Sequence, residues 1–552
     1  MNLEAIQSKG CQTGTSRWKG AGAIANPWVK NDYASSAMTR MCYVFLEDSD
    51  ISELALGQEV LSAESRPRIA DFHAVSPPLT IQPLILSGKS ANRIDLVFFA
   101  DGYTAEERPK FLEDARRLAQ DISSNQTFNT VKPLMNFWAA FTPSVESGIG
   151  VGGKPKNTAF GLYRDGTELR GVYYSKPDEA SAACFSMGDR CDYPILMGND
   201  PLYGGLGGDF TVITPSLANG ALVLRHELGH SIIDVGEEYD GGYAYFGVNA
   251  VQDLSSDLPW KQWLSEPLSD SPRVERSVMP MQNYAWTMLN TSEPWSVTFN
   301  SSGMYDRYLL RFSLSGVPEK QALSVEFDDQ DLGWTPRKDI GVDRWHYDIH
   351  KSAALEEGLH QVKFTLKDSA LEGTAQLCSV EVLEFGTEKE FNSTPAYYGL
   401  FPTFSEQNET TYRPTNEDCL MRQVTTPNFC SVCREGLWRS LLRRVHLVDD
   451  VYTGCAQDAS TGKWTRTIEL YLVPLAQFRR DPVTPQESYA VTWSKGGQIL
   501  EEFTNRTSIV VDDEVGVTYD ISVEFSTEEV RTDRDGYLKA SGELTLSSKC
   551  DG

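Results

Sequence analysis

The chain has 552 residues, too many for a single hydrophobic core, so three or four domains are expected. A hydrophobic content of 40% with 11% aromatic residues points to packed globular domains rather than disorder. The formal net charge of −27 argues against nucleic acid or an anionic membrane as partner, and no apolar run reaches the ~20 residues of a membrane span.

Residues 1–88 form an N-terminal region and linker, with a strand-like core from Met41 to Leu46 and a linker-like stretch at Pro77-Pro78 and Pro83. His73 reads as a surface residue. No apolar core of a signal peptide is legible in residues 1–20, whereas six N-x-[ST] sequons and ten cysteines fit a secreted glycoprotein. The sequons are at Asn125, Asn290, Asn300, Asn392, Asn408 and Asn505. The expectation that reconciles the two is that the native N-terminus lies outside this sequence.

The first part of a catalytic domain is expected over 89–283. Asn92 to Ala100 reads as a strand, apolar without a break from Leu96, suited to a sheet buried on both faces. Asp101-Gly102-Tyr103-Thr104 turns the chain, and Thr104 with Glu107 can cap a helix whose start Pro109 shifts by a residue or two. Phe111, Ala115, Leu118 and Ile122 share one face of that helix. Further strands are expected over 136–142, 194–197 and 209–214, the second following a cysteine-bearing loop. Cys184 and Cys191 are spaced for a disulfide.

Tyr203-Gly204-Gly205-Leu206-Gly207-Gly208 lacks the GK[ST] ending of a phosphate loop and leads into a strand. Such an edge lets another backbone approach closely, as a peptide substrate would, although a plain flexible loop fits the spacing as well.

The apolar lead-in Ala221 to Leu224 runs into His226-Glu227-Leu228-Gly229-His230. On a helix the two histidines lie one turn apart on one face, a spacing that suits two ligands of a single Zn²⁺. Glu227 then projects beside the metal as a general base. A catalytic site of this kind needs a third protein ligand. The metzincin pattern would want Gly at 233 and His or Asp at 236, where this chain has Ile233 and Gly236. The carboxylates that follow are the candidates, Glu237 first and Glu238 second.

Leu258 to Trp263 reads as packing rather than chemistry. Alternating strands with turn signals between them suggest a β-sandwich inserted over 284–388. His346 and His350 lie on one of these strands, too far apart for one metal, and are expected to be structural. Trp334 and Trp345 could bind sugars if exposed, but core is the plainer reading. Residues 389–447 return to the catalytic domain, closing with a helix from Glu435 to Val445. Within it Cys430-Ser431-Val432-Cys433 has no second CxxC, so a disulfide or packed thiols fits better than a zinc ribbon. Strands over 448–552 fit an immunoglobulin-like sandwich, whose ends Cys455 and Cys550 could staple.

Taken in order, the DGYT turn, Glu146-Ser147-Gly148, the YGGxGG edge and HELGH with Glu237-Glu238-Tyr239 resemble the IgA-peptidase family of zinc metalloendopeptidases. Tyr412-Arg413-Pro414, Cys419-Leu420-Met421 and Phe429-Cys430-Ser431-Val432-Cys433 extend the resemblance, which covers about 89–283 and 389–447. It implies a metzincin-like core, zinc as cofactor, His226 and His230 as ligands and Glu227 as general base. Glu237 stands where the family has Asp, which keeps the carboxylate and adds a methylene. Met421 would supply the methionine turn below the metal, and Tyr412 would lie near the cleft as a catalytic residue.

The expected fold is therefore an α/β (α+β) zincin-like catalytic domain carrying an inserted β-sandwich and a C-terminal immunoglobulin-like one. The expected function is zinc-dependent hydrolysis of peptide bonds in protein or glycoprotein substrates. A different class, a non-catalytic secreted glycoprotein whose sandwiches bind a glycan or a protein, is disfavoured by the intact Glu227.

Overall fold

The computed structural model describes residues 16–20, 75–124, 127–254, 257–266 and 273–550. The expected strand at Met41–Leu46, His73 and the Asn125 sequon lie outside the described residues. The fold is mixed α+β, dominated by sheets with few helices.

A six-stranded sheet carries the N-terminal half: β1 (Thr80–Ile85), β2 (Ile94–Asp101), β3 (Met135–Phe141), β4 (Tyr193–Gly198), β5 (Gly205–Leu206) and β6 (Thr211–Ile213), in the order β1-β3-β2-β4-β6-β5. The four central strands are parallel, and β1 and β5 close the two edges antiparallel. Every residue of β2 is buried, as a strand covered on both faces requires. The sheet begins inside the stretch expected to be linker. Pro83 is tolerated because β1 is an edge strand, where a missing N–H need not break a ladder.

Helix α1 (Arg108–Ser124) packs the predicted face, Phe111, Ala115, Leu118 and Ile122, into the core. The Glu107 carboxylate accepts from the Thr104 backbone N–H at 2.9 Å, half of the expected capping box. The turn motifs around it are architectural. Asp101 accepts from the backbone N–H groups of Phe160 and Leu162 and from the Thr158 hydroxyl, fixing the loop that crosses above the sheet. Gly102 has φ +73°, and a β-carbon there would lie 2.4 Å from the Gly148 carbonyl oxygen. These two contacts explain the DGYT and ESG segments.

Two sheets face each other over residues 277–385. One contains Ser277–Asn283, Gln376–Phe385, Arg307–Ser315 and Trp345–Lys351; the other Trp295–Ser302, Glu357–Leu366 and Leu323–Phe327. Ser277–Asn283, expected to end the catalytic segment, pairs instead with Gln376–Phe385 of this sandwich. The sandwich has its own core, built on Phe312, Val325, Phe364 and Val380. Trp334 and Trp345 are buried, as the plainer reading expected.

The C-terminal sheets comprise Val448–Gln457, Trp464–Leu472 and Ser508–Asp512 in one layer. The other holds Glu487–Lys495, Thr518–Thr527 and Lys539–Thr545, joined at its edge by Ser16–Gly20. Their core is continuous with that of the six-stranded sheet. The junction is helix α3 (Ser431–Leu442): Trp438 packs on Phe525 with ring centroids 5.4 Å apart, and its Nε1 donates to Glu529 at 2.7 Å. Cys184–Cys191 and Cys455–Cys550 are disulfide-bonded, as expected from their positions. Among the described residues no helix is long and apolar enough to cross a membrane.

Candidate metal centre and cleft

Helix α2 (Gly220–Ile232) carries HELGH, so His226 and His230 do share one face. Each imidazole is oriented by its Nδ1, which donates to a carbonyl oxygen: Leu420 for His226 and Val235 for His230, both at 3.2 Å. A carbonyl can only accept, so in the neutral imidazoles, the form that binds a metal, each Nε2 carries the lone pair and both face the same point.

The helix ends at Ile232 and the chain runs on extended from Ile233. Gly236, which stands where the metzincin pattern has a ligand, has a packing role instead. A β-carbon there would sit 2.5 Å from both the Ala244 oxygen and the Phe246 nitrogen, so glycine is needed for close approach of the 244–246 segment. The two glutamates that follow then point opposite ways. Glu237 enters the cleft, with its two carboxylate oxygens 3.0 Å from His230 Nε2 and 3.3 Å from His226 Nε2. Glu238 is fully buried on the far side, where Asn249 donates to it at 2.8 Å.

The two Nε2 atoms are 3.3 Å apart. Nitrogen and oxygen ligands at about 2.0 Å from a zinc ion set tetrahedral edges of about 3.3 Å, so the three side chains fit such an ion. Glu237 Oε2 is buried and has no hydrogen-bond partner, an orphaned acceptor that a cation would satisfy. The electrostatics point the same way. Burial would lower the pKa of His226, but the Glu237 carboxylate overrides it and raises the imidazole to about 9. Burial likewise opposes ionisation of Glu237, yet the two imidazoles hold its carboxyl well below the usual carboxylate range. Burial pushes Glu227 up.

Glu227 lies between the helix and edge strand β5. A β-carbon on Gly207 would fall 2.9 Å from its Oε2, and one on Gly205 would fall 2.2 Å from Val223 Cγ1. The glycines expected to admit a substrate backbone are thus required first by the closeness of α2. Among the described residues no further strand flanks β5 in its sheet, but its outward Gly205 N–H donates to the Arg170 carbonyl.

The cleft in front of the cluster has a volume of about 470 Å³. Met421 lines it and lies under the helix, its Sδ 3.2 Å from where a β-carbon on Gly229 would be. Tyr412 does not line it. That side chain is on the strand Thr410–Arg413, whose backbone pairs with Val251 away from the metal cluster. The tyrosines that do line the cleft are Tyr203, Tyr239, Tyr243 and Tyr284. Burial pushes the Tyr203 and Tyr239 phenols up, and the Glu227 and Glu237 carboxylates add to this, so both are protonated donors at neutral pH.

The inserted sandwich supplies one wall, which sequence reasoning missed. Arg311, Arg344, His346 and Glu381 come from it. His346, expected to be structural, faces the cleft, and burial followed by the nearby Arg344 and Arg311 keeps its imidazole neutral. Asp343 ties this wall to the catalytic elements: its carboxylate accepts from the Tyr203 backbone N–H at 2.6 Å, Ser216 Oγ at 2.6 Å and Asn219 Nδ2 at 2.9 Å. One side chain therefore fixes both the approach to β5 and the start of α2. Nothing in its local sequence distinguishes it from an ordinary turn aspartate.

Among the solved structures similar to this chain are three weak likenesses, with TM-scores too low to bear on fold or function. They include the Endo-D glycoside hydrolase domain of Streptococcus pneumoniae R6, at 7% identity and a TM-score of 0.11, covering 50% of this chain and 39% of that one. A cycloisomaltooligosaccharide glucanotransferase of Paenibacillus sp. gives 10% and 0.13, covering 68% and 57%. Red sea bream transglutaminase gives 10% and 0.10, covering 57% and 39%. A comparison with curated proteins found no match. The family described as IgA Peptidase M64, by contrast, matches residues 82–269. That stretch runs from β1 through the DGYT turn and the glycine-rich edge to HELGH and the glutamates behind it, and over it the chain is similar to the IgA Peptidase M64 family.

Proposed function

We propose that the protein is a zinc-dependent metalloendopeptidase that hydrolyses peptide bonds of protein or glycoprotein substrates. The observation that carries this reading is the triangle of His226, His230 and Glu237 donors, all within 4.8 Å of one another, with Glu227 beside it at the sheet edge. His226 and His230 through Nε2, and Glu237 through its carboxylate, would hold the ion. When bound, zinc supplies a Lewis acid that acidifies water to a pKa near ~7 and polarises a carbonyl.

The remaining work falls to this chain's own groups. Glu227, its proton affinity raised by burial, takes the proton from the attacking water and returns it to the departing amine. Tyr203 and Tyr239, in place of Tyr412, are the donors that can steady the oxyanion. An extended substrate would pair along the glycine-rich segment 203–208 as an edge strand, taking the place of the Arg170 carbonyl that meets the Gly205 N–H in the free protein. A zincin-like catalytic unit completed by 389–447, with the two sandwiches as separate domains, is the architecture this reading assumes. Secretion is supported by the two disulfides and by sequons at the exposed Asn290, Asn300, Asn408 and Asn505.

Casein cleavage by wild type and by Glu227→Ala, with metal analysis of both, tests the proposal. Glu227→Ala is expected to keep zinc and lose activity by about 10³-fold or more. Bound zinc in the wild type with no cleavage of any peptide library would sink it. Glu237→Ala is expected to lose the cleft metal and the activity together.

A further inference from the structure

Behind the cleft lies a second constellation of metal-ligand type. Cys419, Cys430, Cys433 and Glu238 are all buried, and one donor atom from each lies within 4.8 Å of all the others. Cys419 Sγ and Cys433 Sγ are 3.7 Å apart, and Cys433 Sγ is 3.8 Å from Glu238 Oε1. Thiolates at about 2.3 Å from a zinc ion need sulfur–sulfur edges of about 3.8 Å, whereas a disulfide needs about 2.05 Å. We propose that these four side chains form a closed structural site for a thiophilic divalent cation, zinc by preference, separate from the cleft.

Glu238 supplies the second observation. Its Oε1 accepts from Asn249, but its Oε2 is buried with no partner at all. The alternative pairing, a disulfide between any two of the cysteines, would leave the third thiol and the unpartnered Glu238 Oε2 together in the core. A dication satisfies all four groups at once. The Cys430 backbone N–H points at Cys419 Sγ at 3.4 Å, the kind of donor that stabilises a metal thiolate. Four protein ligands leave no open coordination position, so the site would be structural rather than catalytic.

Its place in the fold gives it a task. Glu238 adjoins Glu237; Cys419 lies next to Leu420, whose carbonyl orients His226, and two residues before Met421. Cys430 is the N-cap of α3, and Cys433 sits in that helix's first turn. One ion would therefore clamp the strand carrying the third cleft ligand, the segment under α2 and the helix that reaches the C-terminal sandwich.

The test uses the full chain, isolated without reductant, and the double variant His226→Ala/His230→Ala, which removes the cleft ligands. Zinc content is measured together with the intact denatured mass, and both proteins are reconstituted with Co²⁺ alone. The expected result is about two zinc ions per chain in wild type and about one in the double variant. No disulfide should engage Cys419, Cys430 or Cys433, and the cobalt-loaded double variant should show sulfur-to-cobalt charge transfer with tetrahedral visible bands. A metal-free double variant, a cobalt spectrum without sulfur charge transfer, or a disulfide among the three cysteines would each overturn the proposal. The conservative Glu238→Gln, placed in the double-variant background, is expected to weaken zinc retention at least tenfold against a chelator. Unchanged retention would remove Glu238 from the site. Because the cleft ligands are absent throughout, these outcomes are independent of whether the cleft binds zinc or cleaves peptides.

Discussion

The two β-sandwiches attach to the catalytic elements by opposite means. The inserted one keeps a separate core and meets the cleft through polar groups: Asp343 at the start of α2, and Arg311 bonded to Asp348, Glu381 and Glu417. The C-terminal one shares the apolar core through α3 and Trp438, and none of its residues lines the cleft. Directional bonds fix positions to tenths of an ångström, whereas shared apolar area mainly adds stability. The inserted sandwich should therefore tune chemistry, and the C-terminal one should hold the molecule together.

The largest expected effect breaks the apolar attachment. Trp438→Ala empties a fully buried site and removes the donor to Glu529 Oε2, leaving Arg434 on the other oxygen, and costs about 4 kcal/mol of unfolding free energy. Denaturant titration should show that loss while kcat/KM of the folded fraction stays within about twofold of wild type. Next in size, Asp343→Ala leaves three donors without their acceptor and frees both the β5 approach and the α2 start. A fall in kcat/KM of about 10²-fold, with cleft zinc retained, is expected from steady-state kinetics with metal analysis. If Trp438→Ala instead lost activity and Asp343→Ala did not, the comparison would be the wrong way round.

A smaller effect comes from the ion network that joins the inserted sandwich to residues 417–422. Burial opposes ionisation of Glu417, but Arg311, then Arg422 and Arg413, hold its pKa at about 2. The folded value lies below the unfolded ~4.3, so the contribution is complete above that pH and is lost as pH falls toward about 2. With 19% of the side chain still exposed, the discounted contribution is about 2 kcal/mol. Acid unfolding of Glu417→Gln should show a correspondingly shallower dependence between about pH 4.3 and 2, and an unchanged slope would count against the network. The smallest effect is expected at the exposed pair Lys463–Asp512 in the C-terminal sandwich, where Lys463→Ala should move the thermal midpoint by less than about 2 °C.

How much of this was legible in the sequence follows from which signals are local. The burial of β2, the apolar face of α1 and the placement of HELGH on a helix are periodic patterns, and they came through. The choice between Glu237 and Glu238 was not legible, because adjacent residues of an extended segment differ only in which side of the chain they face. That depends on the pairing of 236–238 with 244–246 and Met421, which is long-range. Tyr412 was placed near the cleft by resemblance alone; its backbone pairs with Val251 and it does not line the cleft. Asp343 and Arg344 lie more than 100 residues beyond the helix they support, with no motif around them. The cysteine cluster was invisible for a related reason: its fourth donor is a glutamate far upstream, so CxxC had no second half to find.

If the chain is the peptidase proposed above, the Cys455–Cys550 bridge bears on its own survival. It closes a span of 95 residues that takes in almost the whole C-terminal sandwich, including exposed turns such as Asp458–Gly462. A single cut in such a turn, by a neighbouring copy or any other protease, leaves both fragments covalently attached and still sharing one core. Nicked molecules would migrate as intact chains until reduced, and the enzyme would tolerate its own company.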